Sequence, residues 1–219
     1  MGKMRMGILD GFVGKVGTVV GSFWKGKKVI RGYNEFPKES HTDEQELQRA
    51  KFGMLGEMGG ALLKALRIGL KKYAAEQVST EVGEFVKLNM KNVSGTVNHL
   101  EVAYDKMILS DGSLTGVATG EADFTTPLTV SVPIEDGYID TRFNSEDDRV
   151  YVAVYSKTNG TAVVSDGSHK RSGDQVSVTV PGFWQGHYVE VYAFVKASAD
   201  AADPQMCSDT IYCGSGRVA

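Results

Sequence analysis

The chain has 219 residues, of which 42% are apolar and 23% charged, an ordinary composition for a globular protein. Its net charge of −3 argues against a uniformly basic, polyanion-binding protein. No run approaches the ~20 apolar residues of a membrane span. Asp10, Lys15 and repeated glycines interrupt residues 1–24 where a signal peptide needs an apolar segment, so we expect a cytoplasmic or virion protein.

Residues 7–33 alternate glycine with β-branched, basic and aromatic residues. The glycines disfavour a helix by about 1 kcal/mol each relative to alanine, whereas valine and the aromatic residues favour extended chain. We predict strands at 16–24 and 28–33, joined as a hairpin by a turn around Lys25-Gly26-Lys27. A lone hairpin is marginal in water, so this one must pack either on its own chain or on another subunit.

Charge is distributed unevenly along the chain. Residues 1–33 hold seven of the 24 basic residues and one of the 27 acidic residues, a net charge of +6, which leaves −9 for the rest. Opposite charges on two parts of one chain favour contact between copies. The same basic ribbon, with interleaved Phe23, Trp24 and Tyr33, could instead follow a phosphate backbone, or could be a solvated face.

Two helices are predicted next. The first starts at Thr42, which forms a capping-box pattern with Gln45. The second spans 79–92, is capped by Ser79 or Thr80, and is followed by Gly95. Apolar residues of the first helix recur at spacings of three and four, which predicts a buried stripe: Leu47, Ala50, Met54, Met58, Ala61, Leu62, Ala65, Leu66, Leu70 and Tyr73.

From about residue 99 the apolar period becomes two, and turn dipeptides such as Asn159-Gly160 recur. This pattern predicts an α+β protein whose second part is an antiparallel β-sandwich of the fibronectin type III or immunoglobulin type. We expect residues 1–98 to form a basic hairpin arm plus a helical region, and residues 99–219 to form the sandwich. After the strand at 99, the predicted strands are 127–132, 137–143, 149–156, 161–165, 175–181, 188–196 and 208–212.

No group of residues predicts catalysis. The segment 21–28 is close to a phosphate-binding P-loop, but Lys28 stands where a metal-binding Ser or Thr is needed. The run 146–148 is acidic but lacks the spaced ligands of a calcium loop, so we expect a solvated turn. Cys207 and Cys213 are expected to be two buried thiols rather than a disulfide. We therefore expect no enzyme, no cofactor and no metal site; the four histidines also lack metal-ligand spacing.

Four motifs occur in order along the chain: GxxGKVGTVVGxxWKGKxVxR at 11–31, TxxQxxxRxKF at 42–52, VxxNMKNVSG at 86–95 and SDTIYCG at 208–214. Together they resemble a family of bacterial proteins of unknown function, frequent in the Bacteroidota and in their phages and mobile elements. The resemblance runs nearly end to end. It implies no known activity and no site residues.

We expect a non-enzymatic structural or assembly protein, a virion or mobile-element component that forms homo-oligomers or docks on protein partners through the basic arm. One alternative is a nucleic-acid-associated protein that uses the arm on phosphates. Another is a surface carbohydrate-binding sandwich, which a cluster of exposed aromatic residues on one sheet face would favour. The residues expected to carry the interaction are Lys15, Trp24, Lys25, Lys27, Lys28 and Arg31, with Arg49 and Phe52 anchoring the arm to the first helix.

Overall fold

The computed structural model describes residues 2–3, 13–24, 26–34, 42–135 and 144–219. Its contacts divide the chain into two compact units, residues 1–42 and residues 43–219. This division differs from the predicted boundary between residues 98 and 99. The physical reason is that the helices share a hydrophobic cluster with strands from the second half of the chain.

The first unit is a four-stranded antiparallel sheet with the strand order β1-β4-β3-β2. Its strands are β1 (Gly2–Lys3), β2 (Gly14–Val16), β3 (Val19–Trp24) and β4 (Lys27–Gly32). The predicted hairpin is present as β3 and β4.

The predicted strand 16–24 is wrong at its start, because the chain reverses between Val16 and Val19, which are paired in the sheet. Gly17 lies in this two-residue loop with a φ of +59°, a conformation that glycine adopts without strain. The single predicted strand is therefore two strands, and the predicted two-stranded hairpin is part of a larger sheet.

The second unit begins with four helices: α1 (Asp43–Ala61), α2 (Leu63–Gly69), α3 (Lys71–Glu76) and α4 (Glu81–Asn89). Helical hydrogen bonds continue across the breaks between the first three. The amide of Leu62 donates to the carbonyl of Met58 at 3.0 Å, and that of Leu70 donates to the carbonyl of Leu66 at 2.8 Å. Five members of the predicted apolar stripe are buried, namely Met58, Leu62, Ala65, Leu66 and Leu70. Leu55 and Ala74, which the prediction did not include, are buried as well.

Helix α4 confirms the second predicted helix and its cap. The Thr80 side chain accepts a hydrogen bond from the Gly83 amide at 3.1 Å, a contact worth about 1 kcal/mol at a helix start. The helix continues into a 3-10 turn, Met90–Asn92. The chain then forms a hairpin between β5 (Val93–Thr96) and β6 (His99–Val102). The sequence analysis missed β5, whereas β6 begins where a strand was predicted, at about residue 99.

Seven further strands follow. They are β7 (Ala118–Thr119), β8 (Thr129–Glu135), β9 (Arg149–Ser156), β10 (Thr161–Val164), β11 (Gln175–Thr179), β12 (Tyr188–Lys196) and β13 (Ile211–Arg217). One sheet has the order β10-β9-β12-β13 and another has the order β11-β8-β7, with antiparallel pairing throughout. The predicted strands 149–156 and 188–196 match β9 and β12 at both ends. The predicted strand 208–212 starts three residues too early, and 137–143 lies outside the described residues.

Strands β9 and β12 are buried on both faces. One set of alternating residues, which includes Val152 and Val191, belongs to a hydrophobic cluster with Val130 of β8 and Val176 of β11. The opposite set, which includes Tyr192 and Phe194, packs against the helices. The molecule is therefore an α+β protein, in which the helices cover a sheet face that a free-standing sandwich would expose.

Asn89 joins the helices to the chain that follows them, and its side chain is fully buried. Its amide nitrogen donates to the carbonyls of Phe85 and Ile108, both at 2.9 Å, and its amide oxygen accepts from the Ile108 amide at 2.8 Å. A buried amide with these partners stabilises one arrangement of the segment after β6.

Both cysteines are free and buried, as predicted. The Cys207 thiol donates to the carbonyl of Ile68 at 3.2 Å, and burial raises the pKa of Cys207 to about 11. Cys213 belongs to the cluster between the two sheets, and burial raises its pKa as well. Since the thiolate is the reactive form, these thiols serve packing rather than chemistry.

Candidate functional site

The register of the N-terminal sheet places basic residues together. Lys15 of β2 is opposite Val20 of β3, and Val20 is opposite Arg31 of β4, so the three lie in one row on one face. Lys27 is on this face too, because side chains alternate along β4. We call Lys15, Lys27 and Arg31 the basic face. Lys28 lies on the other face, opposite Phe23.

An open cleft of about 440 Å³ lies at the β2 end of the basic face, lined by Lys15, Val20, Arg31, Gly32, Tyr33 and Asn34. The Lys15 ammonium sits 3.3 Å from the centroid of the Tyr33 ring, a cation–π contact. The Tyr33 amide donates to the Thr18 carbonyl at 2.7 Å, which ties the ring to the β2–β3 turn. Two cations, a carboxamide and an aromatic ring around one cleft suit the binding of an anion.

The opposite face of this sheet is mainly apolar, with Lys28 as its one basic residue among the described residues, and part of it is exposed. Val16 and Phe23 share that face by register and are 61% and 54% exposed. Among the described residues of the first unit, Val29 is the single apolar residue whose side chain is buried. The sheet thus has a basic face, an apolar face and very little core.

Besides Lys28, four of the predicted interaction residues lie outside the basic face or outside the described residues. Arg49 and Phe52 lie on the exposed side of α1, where Phe52 is 59% exposed. That they anchor the arm stays a prediction. Lys25 and the side chain of Trp24 lie outside the described residues.

Sequence reasoning missed a buried ion pair between Asp148 and Arg171, whose side chains are both 2% exposed. The predicted solvated turn at 146–148 is therefore wrong for Asp148, although Glu146 and Asp147 are exposed. The guanidinium donates to the carbonyls of Thr115 and Gly116 at 2.5 and 3.2 Å. Spacing could not reveal this pair, because the two residues come from different turns.

A second buried carboxylate, Glu190, lies among tyrosines on the helix-facing side of β12. Its two oxygens contact the Lys157 ammonium and the Tyr212 hydroxyl, each at 2.6 Å. The Lys157 ammonium is also 5.1 Å from the centroid of the Tyr104 ring. Because both oxygens are engaged inside the protein, Glu190 holds the turn after β9 and strand β13 in place rather than offering a free general base.

The Tyr212 hydroxyl gives this cluster a measurable pH dependence. Burial and the hydrogen bond to Glu190 raise the pKa of Tyr212 to about 12. Between pH ~10, where an unfolded tyrosine ionises, and the folded value of about 12, the unfolded state loses a proton that the folded state keeps. Stability contributed by this group is therefore complete below pH ~10 and is lost as the pH rises toward 12.

We expect Tyr212→Phe to remove one tyrosine of raised pKa from the ultraviolet titration of the folded protein. The free energy of unfolding of this variant should also fall less steeply than that of the wild type as the pH rises from ~10 toward 12. Tyr188→Phe is the matched control, because Tyr188 is exposed. If both variants change the pH dependence of stability above pH ~10 equally, the raised pKa does not belong to Tyr212 in particular.

The described residues contain no group of three or more His, Cys, Asp and Glu side chains arranged to hold a metal ion. The P-loop-like segment 21–28 forms parts of the antiparallel strands β3 and β4, not the strand–loop–helix unit that cradles phosphates. In the part of the chain that the structure describes, no helix has the length and apolar character needed to cross a bilayer.

A family model for proteins of unknown function, DUF6266, matches residues 11–214. The chain belongs to this family. The match confirms the family resemblance inferred from the four motifs, whereas an origin in Bacteroidota or phages stays a prediction. Comparison of the sequence with curated proteins gave no match. DUF6266 membership brings no activity with it, so the cleft and the basic face rest on geometry alone.

Proposed function

We propose that this DUF6266 protein is a non-enzymatic structural or assembly protein that docks on protein partners through its N-terminal sheet. One observation carries the proposal: the described part of that sheet buries a single apolar side chain, Val29, while Val16 and Phe23 are exposed on one face. Burial of apolar surface contributes about 25 cal/mol per Å² to stability, so one buried valine stabilises this small sheet very little. Covering the apolar face with a partner would supply the missing core.

Charge supports a protein partner, including a second copy of the chain. Residues 1–33 carry +6 and the rest of the chain carries −9. A positive docking element attracts the negative surface of a neighbouring copy and accelerates the encounter. The described edge strands β1 and β2 also pair on one side only in this sheet, which leaves backbone groups for strand addition.

Removing residues 1–42 tests the proposal. Both hydrophobic clusters lie wholly within residues 43–219, so the shortened chain keeps its core. We expect the full-length protein to exceed the monomer mass at high concentration, and the shortened protein to be a soluble monomer. Light scattering coupled to size-exclusion chromatography measures both masses.

The matched control is full-length Lys91→Glu/Lys106→Glu, which reverses two exposed lysines of the second unit. This variant should assemble as the wild type does. A full-length protein that stays monomeric at every concentration and binds no protein partner would refute the proposal.

Contact with nucleic acid is the second candidate function, and the cleft between Lys15, Arg31 and Tyr33 favours it. Lysine and arginine neutralise phosphates, and an aromatic ring can stack on a base. This function predicts binding to single-stranded DNA that weakens steeply with salt. The binding should be lost when Lys15 and Arg31 of the cleft are replaced by alanine, and weakened when Lys25, Lys27 and Lys28 are. Absence of binding at low salt would remove it.

Two finer proposals accompany the first. The hydrophobic cluster shared by β8, β9, β11 and β12 supports a sandwich of the fibronectin type III or immunoglobulin type. A setting in a virion or mobile element fits an assembly role, and tail, head or portal genes beside this one would support it.

A further inference from the structure

The cleft of the basic face is built to hold a negative group. Arg31 offers a planar fork that can bind a carboxylate through two hydrogen bonds, and Lys15 adds a point charge held over the Tyr33 ring. The cleft volume of about 440 Å³ is many times the ~30 Å³ of a water molecule, so carboxylate side chains can enter it. What remains to be identified is the source of the carboxylates.

The second unit carries a dense run of exposed acids at the start of α1. Asp43, Glu44 and Glu46 all lie in the first turn of this helix and are exposed. Within the described part of the chain, none of the three takes part in an ion pair. Three carboxylates outweigh the roughly half positive charge of a helix N-terminus, so this turn presents a net negative surface.

The start of α1 is also accessible. The buried residues of α1 begin at Leu55, so its first three turns, residues 43–54, contain no buried side chain. Phe52, two turns beyond the acids, is exposed and can add apolar contact area beside the charged turn. A partner can therefore reach this end of the helix without disrupting the hydrophobic clusters.

We infer that the cleft formed by Lys15, Arg31 and Tyr33 receives the acidic first turn of α1 from a second copy of the chain. This inference rests on the proposed assembly function and names its contact. The two surfaces differ, so the contact is heterologous and generates a ring, which can be as small as two copies, or an open chain. An acidic protein segment is favoured over nucleic acid because the chain itself supplies matching carboxylates.

Charge reversal of each surface tests the contact in the full-length protein. Lys15→Glu/Arg31→Glu gives an acidic cleft, and Glu44→Lys/Glu46→Lys gives a basic helix start. We expect each variant alone to associate at least about tenfold more weakly than the wild type, because like charges then face each other. The wild-type association should also weaken as salt rises. Sedimentation velocity over a concentration series measures the association.

Mixing the two variants is the decisive step. The acidic cleft of one then meets the basic helix start of the other, and the remaining pair of surfaces has its original charges. We expect the mixture to associate about as strongly as the wild type, although each variant alone associates at least about tenfold more weakly. The combined four-site variant should recover self-association for the same reason.

Matched controls are Lys91→Glu/Lys106→Glu and Glu121→Lys/Asp174→Lys, which change exposed residues of the second unit by the same charges. Both should assemble normally. Circular dichroism should show that every variant folds as the wild type does.

Three results would overturn the inference. If Lys15→Glu/Arg31→Glu abolishes assembly while Glu44→Lys/Glu46→Lys leaves it intact, docking through the sheet stands but the occupant is wrong. If the mixture stays monomeric while the four-site variant recovers, the acidic turn acts within its own chain. If the wild type is monomeric and binds single-stranded DNA through Lys15 and Arg31, the assembly function falls too.

Discussion

Replacing Arg171 with methionine is expected to lower the free energy of unfolding by about 3–5 kcal/mol, because it leaves the Asp148 carboxylate buried without its counter-ion. The Asp148 carboxylate accepts hydrogen bonds from the backbone amides of Ser145 and Ser198 at 2.9 and 3.0 Å. The backbone carbonyl of Asp148 accepts a further hydrogen bond from the Arg171 amide at 2.8 Å. Because Arg171 also donates to the carbonyls of Thr115 and Gly116, the pair links four segments of the second unit. Equilibrium unfolding in urea measures the loss.

The neighbouring residue supplies a matched control. Lys170 pairs with Asp147 at 2.5 Å, but both side chains are substantially exposed. Lys170→Met should cost less than about 1 kcal/mol, because water screens this pair. The double variant Asp148→Asn/Arg171→Met should recover part of the stability lost by Arg171→Met, since no unpaired charge stays buried. Equal losses for Arg171→Met and Lys170→Met would show that burial does not govern the pair.

Phe194→Ala is expected to cost about 3–5 kcal/mol and to destabilise the helices and the sheets together. The Phe194 side chain is fully buried, stacks on Tyr151 with ring centroids 5.7 Å apart, and belongs to the cluster shared with the helices. Removing it opens a cavity between the sheet and the helices, and helix and sheet should still unfold in one transition.

Two spectroscopic signals report on the helices and on the sheets separately. Circular dichroism follows the helices, and in a Trp24→Phe background fluorescence reports on Trp184, which belongs to the cluster between the sheets. We expect both signals to shift by the same amount in Phe194→Ala. Tyr188→Ala, in the same strand but exposed, should change stability by no more than about 0.5 kcal/mol. Loss of the helical signal alone would mean that the helices form a separate folding unit.

Local patterns accounted for many elements. The Thr80 cap, the alternating valines of β12 and the turn dipeptide Asn159-Gly160 are short-range signals, and the structure has a helix start, a strand and a turn at these places. Three short strands, β1, β5 and β7, were missed because two to four residues carry too little periodicity to predict. Gly17 was read as part of a strand because its positive φ is a property of the turn and not of the composition.

The sequence predicted the basic residues of the candidate site, but not how they are arranged on a surface. The basic residues of 15–31 were identified from their sequence, but the pairing register decided which of them share a face. Register placed Lys15 and Arg31 together and Lys28 on the other side. Tyr33 joined the cleft because its ring lies under Lys15, a contact that spacing did not indicate.

By itself the sequence determined the succession of an N-terminal β region, a helical region and a strand-rich region, the burial of both thiols, the charge asymmetry and the family. These features depend on neighbours within a few residues or on composition. Only the tertiary structure decided that the helices cover one face of the sheet that contains β12, that Asp148 meets Arg171, and that the N-terminal sheet has a basic and an apolar face. The physical reason is that each of these depends on contacts between residues far apart in the chain, which local propensity does not encode.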